Sequence, residues 1–354
     1  MASPAFFAGR DLVRWGIIGC GDVTEVKSGP GFQQAAGSRL VAVMRRDAVK
    51  AADYARRHGV PRWYADADAL IRDPEVDAVY VATPPDSHED YARRVAAAGK
   101  PAYVEKPMAR SAAECDRMVA AFARARLPLF VAYYRRRLPR FLKAEELIQT
   151  GALGRVSGVR WRFAAPRRQA DAGWRVDVAT AGSGLFLDLA SHALDLLDYL
   201  LGPLGDVAGT AGNVATAHAA EDTVAMSFRT PAGAAGVVSC DFASATADDT
   251  LRITGTAGEI TLTVFGHETL RWEQAGGMQE FHLPNPPHVA QPLIQTVVDD
   301  LLGRGVCPST GETARRTSRV MDAVLAGYYG GRDDAFWERP ETWPGRRKPG
   351  AERP

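Results

Sequence analysis

Val13-Arg14-Trp15-Gly16-Ile17-Ile18-Gly19-Cys20-Gly21-Asp22-Val23-Thr24 is the stretch that decides the fold. Residues 13–18 read as a short apolar strand that runs straight into a G-x-G-x-x-T loop. The first glycine permits a tight turn, and the second lets backbone N–H groups approach a pyrophosphate at a helix N-terminus. Thr24 stands where a third glycine is usual, so helix and strand are expected to sit slightly further apart. On the loop alone, a simple strand-to-helix turn is the competing reading. A second apolar strand over 40–44 lies at the spacing a dinucleotide-binding unit requires. Lys27-Ser28-Gly29-Pro30-Gly31 comes early enough to interrupt the first helix. Gly19, Gly21, Asp22, Val23 and Thr24 are therefore candidate cofactor-binding residues.

After the second strand such folds usually present an acidic side chain to the adenosine ribose 2′-hydroxyl. Arg45-Arg46 stand there instead, with Asp47 next. Guanidinium groups fork onto a 2′-phosphate, whereas a carboxylate repels it. The expectation is NADP(H) in preference to NAD(H), with NAD(H) open. The competing reading leaves both arginines in water and gives the hydroxyl to Asp47.

The αβ alternation continues. A helix is expected over 47–58 and a short one capped by Asp66. A strand over 78–82 ends in Thr83-Pro84-Pro85, and Ser87-His88 open the next helix. Thr83 and Pro84 lie at a strand end beside the expected nicotinamide ribose. His88 either bonds the cofactor or meets water. Ala102-Tyr103-Val104-Glu105-Lys106-Pro107 is read as a strand that stops at two charges and a proline. Ser111 with Glu114 makes a capping box, and 129–132 is a further strand. Helices between strands imply a doubly wound parallel sheet, whose ligands bind at the strands' carboxyl ends. Glu105 and Lys106 sit at such an end. Taken alone they are equally readable as a surface ion pair.

The chain has 354 residues, 46% hydrophobic and 24% charged, enough for two cores. A net charge of +1 gives no electrostatic case for nucleic acid or an anionic membrane. Cys20, Cys115, Cys240 and Cys307 show no CxxC spacing, which points to a reducing compartment without disulfides or a zinc knuckle. Residues 1–11 lack a signal-peptide pattern, and no run is apolar enough to span a membrane. The expectation is a cytoplasmic protein.

From Arg155 the pattern becomes alternating strands near 156–163, 206–211, 222–228, 236–242, 251–253 and 259–264, joined by short turns. Helices near 289–302 and 312–328 complete a second domain with a mainly antiparallel sheet. The domains are expected at 1–132 and 133–330, with a loosely ordered extension over 331–354. Arg135-Arg136-Arg137, at the boundary, are expected mainly in water, with anion binding as the other option. Gly182-Ser183-Gly184 lead into 185–201, apolar on nearly every face and so buried. Its ionisable residues, Asp188, His192, Asp195 and Asp198, form one stripe expected to face a polar cleft. Asp188 and His192 can hydrogen-bond, raising the imidazole's basicity. No further ligand cluster accompanies them, so no metal is expected.

With these motifs in place, the chain resembles the Gfo/Idh/MocA oxidoreductases over roughly residues 12–330. Gly19-Cys20-Gly21, Ala82-Thr83-Pro84-Pro85 with His88, Glu105-Lys106-Pro107, Trp174-Arg175 and the span from Gly182 to His192 carry the resemblance. It implies an N-terminal Rossmann domain, and a C-terminal α/β domain whose open sheet serves as a homo-oligomer interface. It implies that Lys106, Asp188 and His192 are catalytic, with a sugar, inositol or polyol as substrate. His192 would then be the general acid/base, and Lys106 would polarise the reacting oxygen. Glu105 would position Lys106 and Asp188 would orient His192. Trp174 and Arg175 would lie near the nicotinamide, and Tyr134 would line the substrate pocket. The chain departs from the family pattern at Ser183 between two glycines, at Arg45 where Asp is common, and at Tyr134 where Asn or His is common. A non-catalytic dinucleotide sensor, or cofactor-retaining chemistry such as redox-assisted glycoside cleavage or epimerisation, is the alternative.

Overall fold

The strand read first is β1, Val13–Ile18. It sits at the centre of a parallel sheet with β2 (Ser38–Met44), β3 (Arg62–Tyr64), β4 (Ala78–Val81), β5 (Ala102–Val104) and β6 (Leu129–Val131), in the order β3-β2-β1-β4-β5-β6. The helices between them are α1 (Asp22–Val26), α2 (Gly29–Gln34), α3 (Ala48–His58), α4 (Ala67–Arg72), α5 (His88–Ala97) and α6 (Ala112–Ala125). This computed structural model describes residues 6–166 and 173–343. Residues 1–5 and the tail beyond 343, on which the leader and extension expectations partly fall, lie outside it.

Period-two alternation puts side chains on both faces of the sheet, and each face has its own core. Val79, Val81, Ala102 and Val104 pack with α5 and α6 residues such as Val95 and Met118. Trp15, Ile17, Tyr80 and Tyr103 point to the other core, with Phe32 and Tyr54. The first helix is interrupted as expected. Thr24 is fully buried; its hydroxyl donates to the Gly21 carbonyl at 2.7 Å, and its own carbonyl accepts from the Tyr54 hydroxyl at 2.9 Å. That bond leaves no room at Gly29, where a Cβ would lie 2.2 Å from the Thr24 oxygen. The edge strand β3 is three residues long and was not placed by sequence patterning.

Contacts divide the chain into two units, and the boundary is not the single break expected at residue 133. The chain passes into the second unit within α7 (Pro139–Gln149). The second unit holds β7 (Val156–Pro166), α8 (Val178–Ala181) and the long helix α9, which opens with a π segment at Phe186–Ala190 and continues as Ser191–Leu201. Its strands are β8 (Gly205–Gly212), β9 (Thr223–Arg229), β10 (Ala235–Ser244), β11 (Asp248–Gly255), β12 (Gly258–Leu262), β13 (Thr269–Gln274) and β14 (Gly277–His282). They order as β14-β13-β12-β11-β7-β10-β9-β8, antiparallel throughout except for the parallel β7–β10 pair. The hairpin β13–β14 was not anticipated: β14 is exposed along most of its length, so it has no apolar alternation.

The helix α10 (Gln291–Leu301) was expected in the second domain but belongs to the first unit. Leu293, Ile294, Val297, Val298 and Leu301 fill the core beside Trp15 and Phe32. Its apolar face matches either core, so amphipathicity could not assign it. α11 (Gly311–Tyr329) leads back to the second unit. The segment after 330 is not loose up to residue 343. α12 (Asp334–Glu338) is capped by Asp333, and the buried Phe336 and Trp343 rings stack 5.3 Å apart. The boundary arginines are also corrected. Arg135 and Arg136 are buried, and Arg136 donates to the Pro308 carbonyl at 2.5 Å.

Candidate active site

The parallel register lines up the strand ends of the first unit. Gly19 N–H donates to the Met44 carbonyl at 2.9 Å, Ala82 N–H to Ile18 at 2.8 Å and Glu105 N–H to Val81 at 2.8 Å. The residues that follow each strand therefore share one edge: 19–24, 45–46, 82–88 and 105–107. Gly19 has φ +89°, and a Cβ there would meet Thr83 Cγ2 at 2.7 Å, so two of these loops touch. Gly21 is different. A Cβ there would find no atom nearer than the Gly19 oxygen, at 3.9 Å. The backbone from Gly21 to Val23 is open to approach, as a dinucleotide pyrophosphate requires, and Asp22 begins α1 beside it. These residues fit the cofactor.

Arg45 lies against this loop, its guanidinium donating to the Cys20 carbonyl at 3.3 Å, and Arg46 is exposed. Asp47 is engaged locally. It is the N-cap of α3, accepting from the Lys50 N–H at 3.1 Å, and that bond holds its carboxyl below the usual carboxylate range.

His88 takes neither role left open for it. The ring is fully buried, with Nε2 2.6 Å from the Thr83 carbonyl and Nδ1 3.1 Å from that of Pro107. It fastens the Thr83-Pro84 turn to the turn after Lys106, and burial pushes its pKa down. The Thr83 hydroxyl accepts from Ser87 at 2.8 Å.

Glu105 accepts from the Tyr80 hydroxyl at 2.5 Å and from the Lys106 backbone N–H at 3.0 Å. Burial raises its carboxyl against the opposing pull of the Lys106 charge. Tyr80 is itself buried and stacks on Tyr103 at 5.1 Å. The Lys106–Pro107 peptide is cis. Tyr134, partly buried against the core, accepts from Arg135 at 2.8 Å.

In the second unit, α9 carries Asp188 and His192. Arg175 Nε lies 3.3 Å from Asp188, and its guanidinium sits 4.6 Å from the Trp174 ring centre, so the Trp174-Arg175 pair is joined to this helix. The expected stripe does not open on a cleft along its length. Asp195 and Asp198 are enclosed, and Asp198 is gripped by Arg316 at 2.9 and 2.5 Å. The π segment also changes the turn on which Asp188 stands relative to the α-helical residues after it.

His192 is buried, and Phe265 packs edge-to-face on it at 5.9 Å. Asp249 builds the turn that presents Phe265, accepting from the N–H groups of Val264, Phe265 and Gly266 at 3.1, 2.5 and 3.1 Å and from Trp161 Nε1 at 3.1 Å. Sequence reasoning missed Phe265, Asp249 and Tyr80. Their partners are distant in the chain and are mostly backbone atoms or rings, which leave no spacing signal.

Residues 13–133 match the oxidoreductase family with an NAD-binding Rossmann fold, and residues 141–261 match the GFO/IDH/MocA C-terminal domain. The chain is 35% identical over 315 residues to Oxidoreductase P35 of Formosa agariphila, covering 88% of this chain and 97% of that one. It is 28% identical to 1,5-anhydro-D-fructose reductase of Ensifer adhaerens, over 84% and 91% of the two chains. The fold is that of levoglucosan dehydrogenase, solved with NADH and levoglucosan, at a TM-score of 0.80, 23% identity and 88% and 96% coverage. Matched by both domain models over residues 13–133 and 141–261 and by a relative over 88% of its length, this chain belongs to the Gfo/Idh/MocA family and is an NAD-binding oxidoreductase.

Proposed function

We propose that the chain is an NADP(H)-preferring dehydrogenase or reductase acting on a carbinol or carbonyl of a sugar, inositol or related polyol. The observation that carries the reading is the shared strand-end edge, with the open Gly21 backbone, Arg45 and the Glu105–Lys106 pair along it. Gly21, Asp22 and Val23 hold the pyrophosphate, whereas Thr24, expected beside them, is buried with its N–H and hydroxyl both given to the Gly21 carbonyl. Arg45 and Arg46 take the 2′-phosphate, a role supported by the engagement of Asp47 in capping α3. Bound nicotinamide supplies the hydride donor or acceptor.

Lys106 donates to the reacting oxygen and stabilises the negative charge that develops on it. His192 is the general acid/base at that oxygen, a role worth about 10²–10⁴-fold in rate. Asp188 orients His192 and binds a substrate hydroxyl, with Arg175 paired to it. Trp174 and Arg175 serve the nicotinamide end, and Tyr134 lines the substrate pocket. Likeness to a chain named for anhydrofructose supports a sugar substrate. The exposed face of the eight-stranded sheet, where Val237 stands out, supports a homo-oligomer, to be read by light scattering.

The test is nicotinamide absorbance over a panel of aldoses, ketoses, anhydrosugars, inositols and acyclic polyols, with NADPH and NADH separately. Turnover faster with NADPH on at least one carbohydrate is expected. Tight dinucleotide binding without redox change on any of them would sink the dehydrogenase reading and favour a sensor. Product formed without net nicotinamide change would replace it with cofactor-retaining chemistry.

A further inference from the structure

The turn that launches α9 is held by side chains that no part of the reaction uses. Glu221 is 1% exposed. Its carboxylate accepts from the Ser183 hydroxyl at 3.0 Å, from the Gly184 N–H at 3.1 Å to each oxygen, and from the Tyr329 hydroxyl at 2.5 Å. Four contacts to three donors, all inside the protein, use both oxygens. Arg332, also buried, grips the other end of the turn by donating to the Gly182 carbonyl at 2.8 Å, and it is itself paired with Asp322.

The glycines are shaped to this grip. Gly182 has φ +90° and lies so close to Arg110 that a Cβ would meet its backbone at 2.7 Å. A Cβ on Gly184 would meet the Glu221 carbonyl at 2.8 Å. Ser183 has no exposed surface and gives its hydroxyl to Glu221. The departure from paired glycines at this position thus has a physical purpose: the hydroxyl supplies one of Glu221's donors. Immediately beyond the turn comes the π segment with Asp188, and then His192.

We propose that Glu221, with Tyr329 and Arg332, is a positioning clamp that fixes the start of α9 and through it the placement of Asp188 and His192. The proposal rests on the reading of those two residues as catalytic. A rigid helix transmits a displacement at its first turn to side chains one and two turns on. A misplacement of about 1 Å in a catalytic group costs on the order of 100-fold in rate. Glu221 belongs to the second unit and the dinucleotide loop to the first, so cofactor affinity is expected to be unaffected by its loss.

The experiment compares Glu221→Ala, Glu221→Gln and Tyr329→Phe with His192→Asn. The full chain is labelled at histidine Cε1, and the His192 signal is assigned by its absence in His192→Asn. Glutamine keeps the shape and can still serve all three partners, because the Ser183 and Tyr329 hydroxyls can reverse and accept. In Glu221→Ala the His192 signal is expected to shift. Its kcat per cofactor-binding site should fall about 10- to 100-fold on the carbohydrate turned over best in the panel, with KM for the dinucleotide unchanged. Glu221→Gln should restore both readouts, and Tyr329→Phe should lie between.

A Glu221→Ala protein that melts earlier, yet keeps the His192 signal and the per-site kcat of the parent, overturns the clamp. So does Glu221→Gln behaving like Glu221→Ala. If Glu221→Ala does not fold, Tyr329→Phe decides by the same two readouts. Full turnover by His192→Asn would instead overturn the catalytic reading, independently of what Glu221 does.

Discussion

Tyr80 gives its hydroxyl to Glu105 at 2.5 Å, within the strand pair β4–β5 whose ends carry the candidate chemistry. Both groups are pushed toward their neutral forms by burial, and the carboxyl is pulled the other way by the Lys106 charge and by the hydrogen bonds from Tyr80 and the Lys106 N–H. Tyr80→Phe leaves a buried carboxyl short of a donor. A loss of about 1–3 kcal/mol in stability is expected, measured by chemical denaturation. No loss would mean that water replaces the phenol.

Lys106→Ala is expected to lower kcat by about 10²–10³-fold while dinucleotide affinity, read by fluorescence quenching, stays within a small factor. Normal turnover in this variant would remove Lys106 from the mechanism.

Arg45→Asp sets a carboxylate where a guanidinium is expected to meet the 2′-phosphate. Loss of a charge-assisted hydrogen bond of about 1.5–3 kcal/mol corresponds to roughly 10- to 150-fold weaker NADPH binding, with NADH held or improved. Equal changes for both dinucleotides, measured by titration calorimetry, would reject the NADP(H) preference.

Two glycines separate folding from binding. Gly29→Ala drives a Cβ to within 2.2 Å of the Thr24 carbonyl and is expected to lower Tm markedly. Gly21→Ala adds a methyl group 3.9 Å from its nearest neighbour, so Tm should hold while dinucleotide binding is lost. Weak binding together with a falling Tm in Gly21→Ala would show that the loop is structurally, not functionally, constrained.

Acid should act through Glu25. Hydrogen bonds from Arg57, with help from His58, lower its carboxyl to about 2 from an ordinary 4.5. A depressed folded-state pKa stabilises the fold above the unfolded value, and this contribution is lost as pH falls through that window. Between pH 4.5 and about 2, the parent should lose stability more steeply than Glu25→Gln. Parallel Tm–pH curves for the two proteins would contradict the pairing.

Much of the first unit was legible because its signals are local. A glycine loop after an apolar strand, an Asp66 cap and the Glu105-Lys106-Pro107 strand end each state their structure within a few residues. The π opening of α9, the transfer of α10 into the first core and the short strand β3 were not legible. Each depends on which surface packs against which, and periodicity specifies an apolar face without naming its partner.

By itself the sequence determined the parallel αβ order, the dinucleotide loop and the residue types available for proton transfer, because strand ends and turns are set by short-range sterics. Only the tertiary structure decided how they are held. It turned His88 from a cofactor candidate into a brace between two loops and drew Arg135 and Arg136 out of water. It also drew Glu221, Tyr329 and Arg332 from distant positions onto one glycine turn. The physical reason is that a buried polar group must find its partners wherever the fold brings them, and those partners are mostly backbone atoms that carry no mark in the sequence.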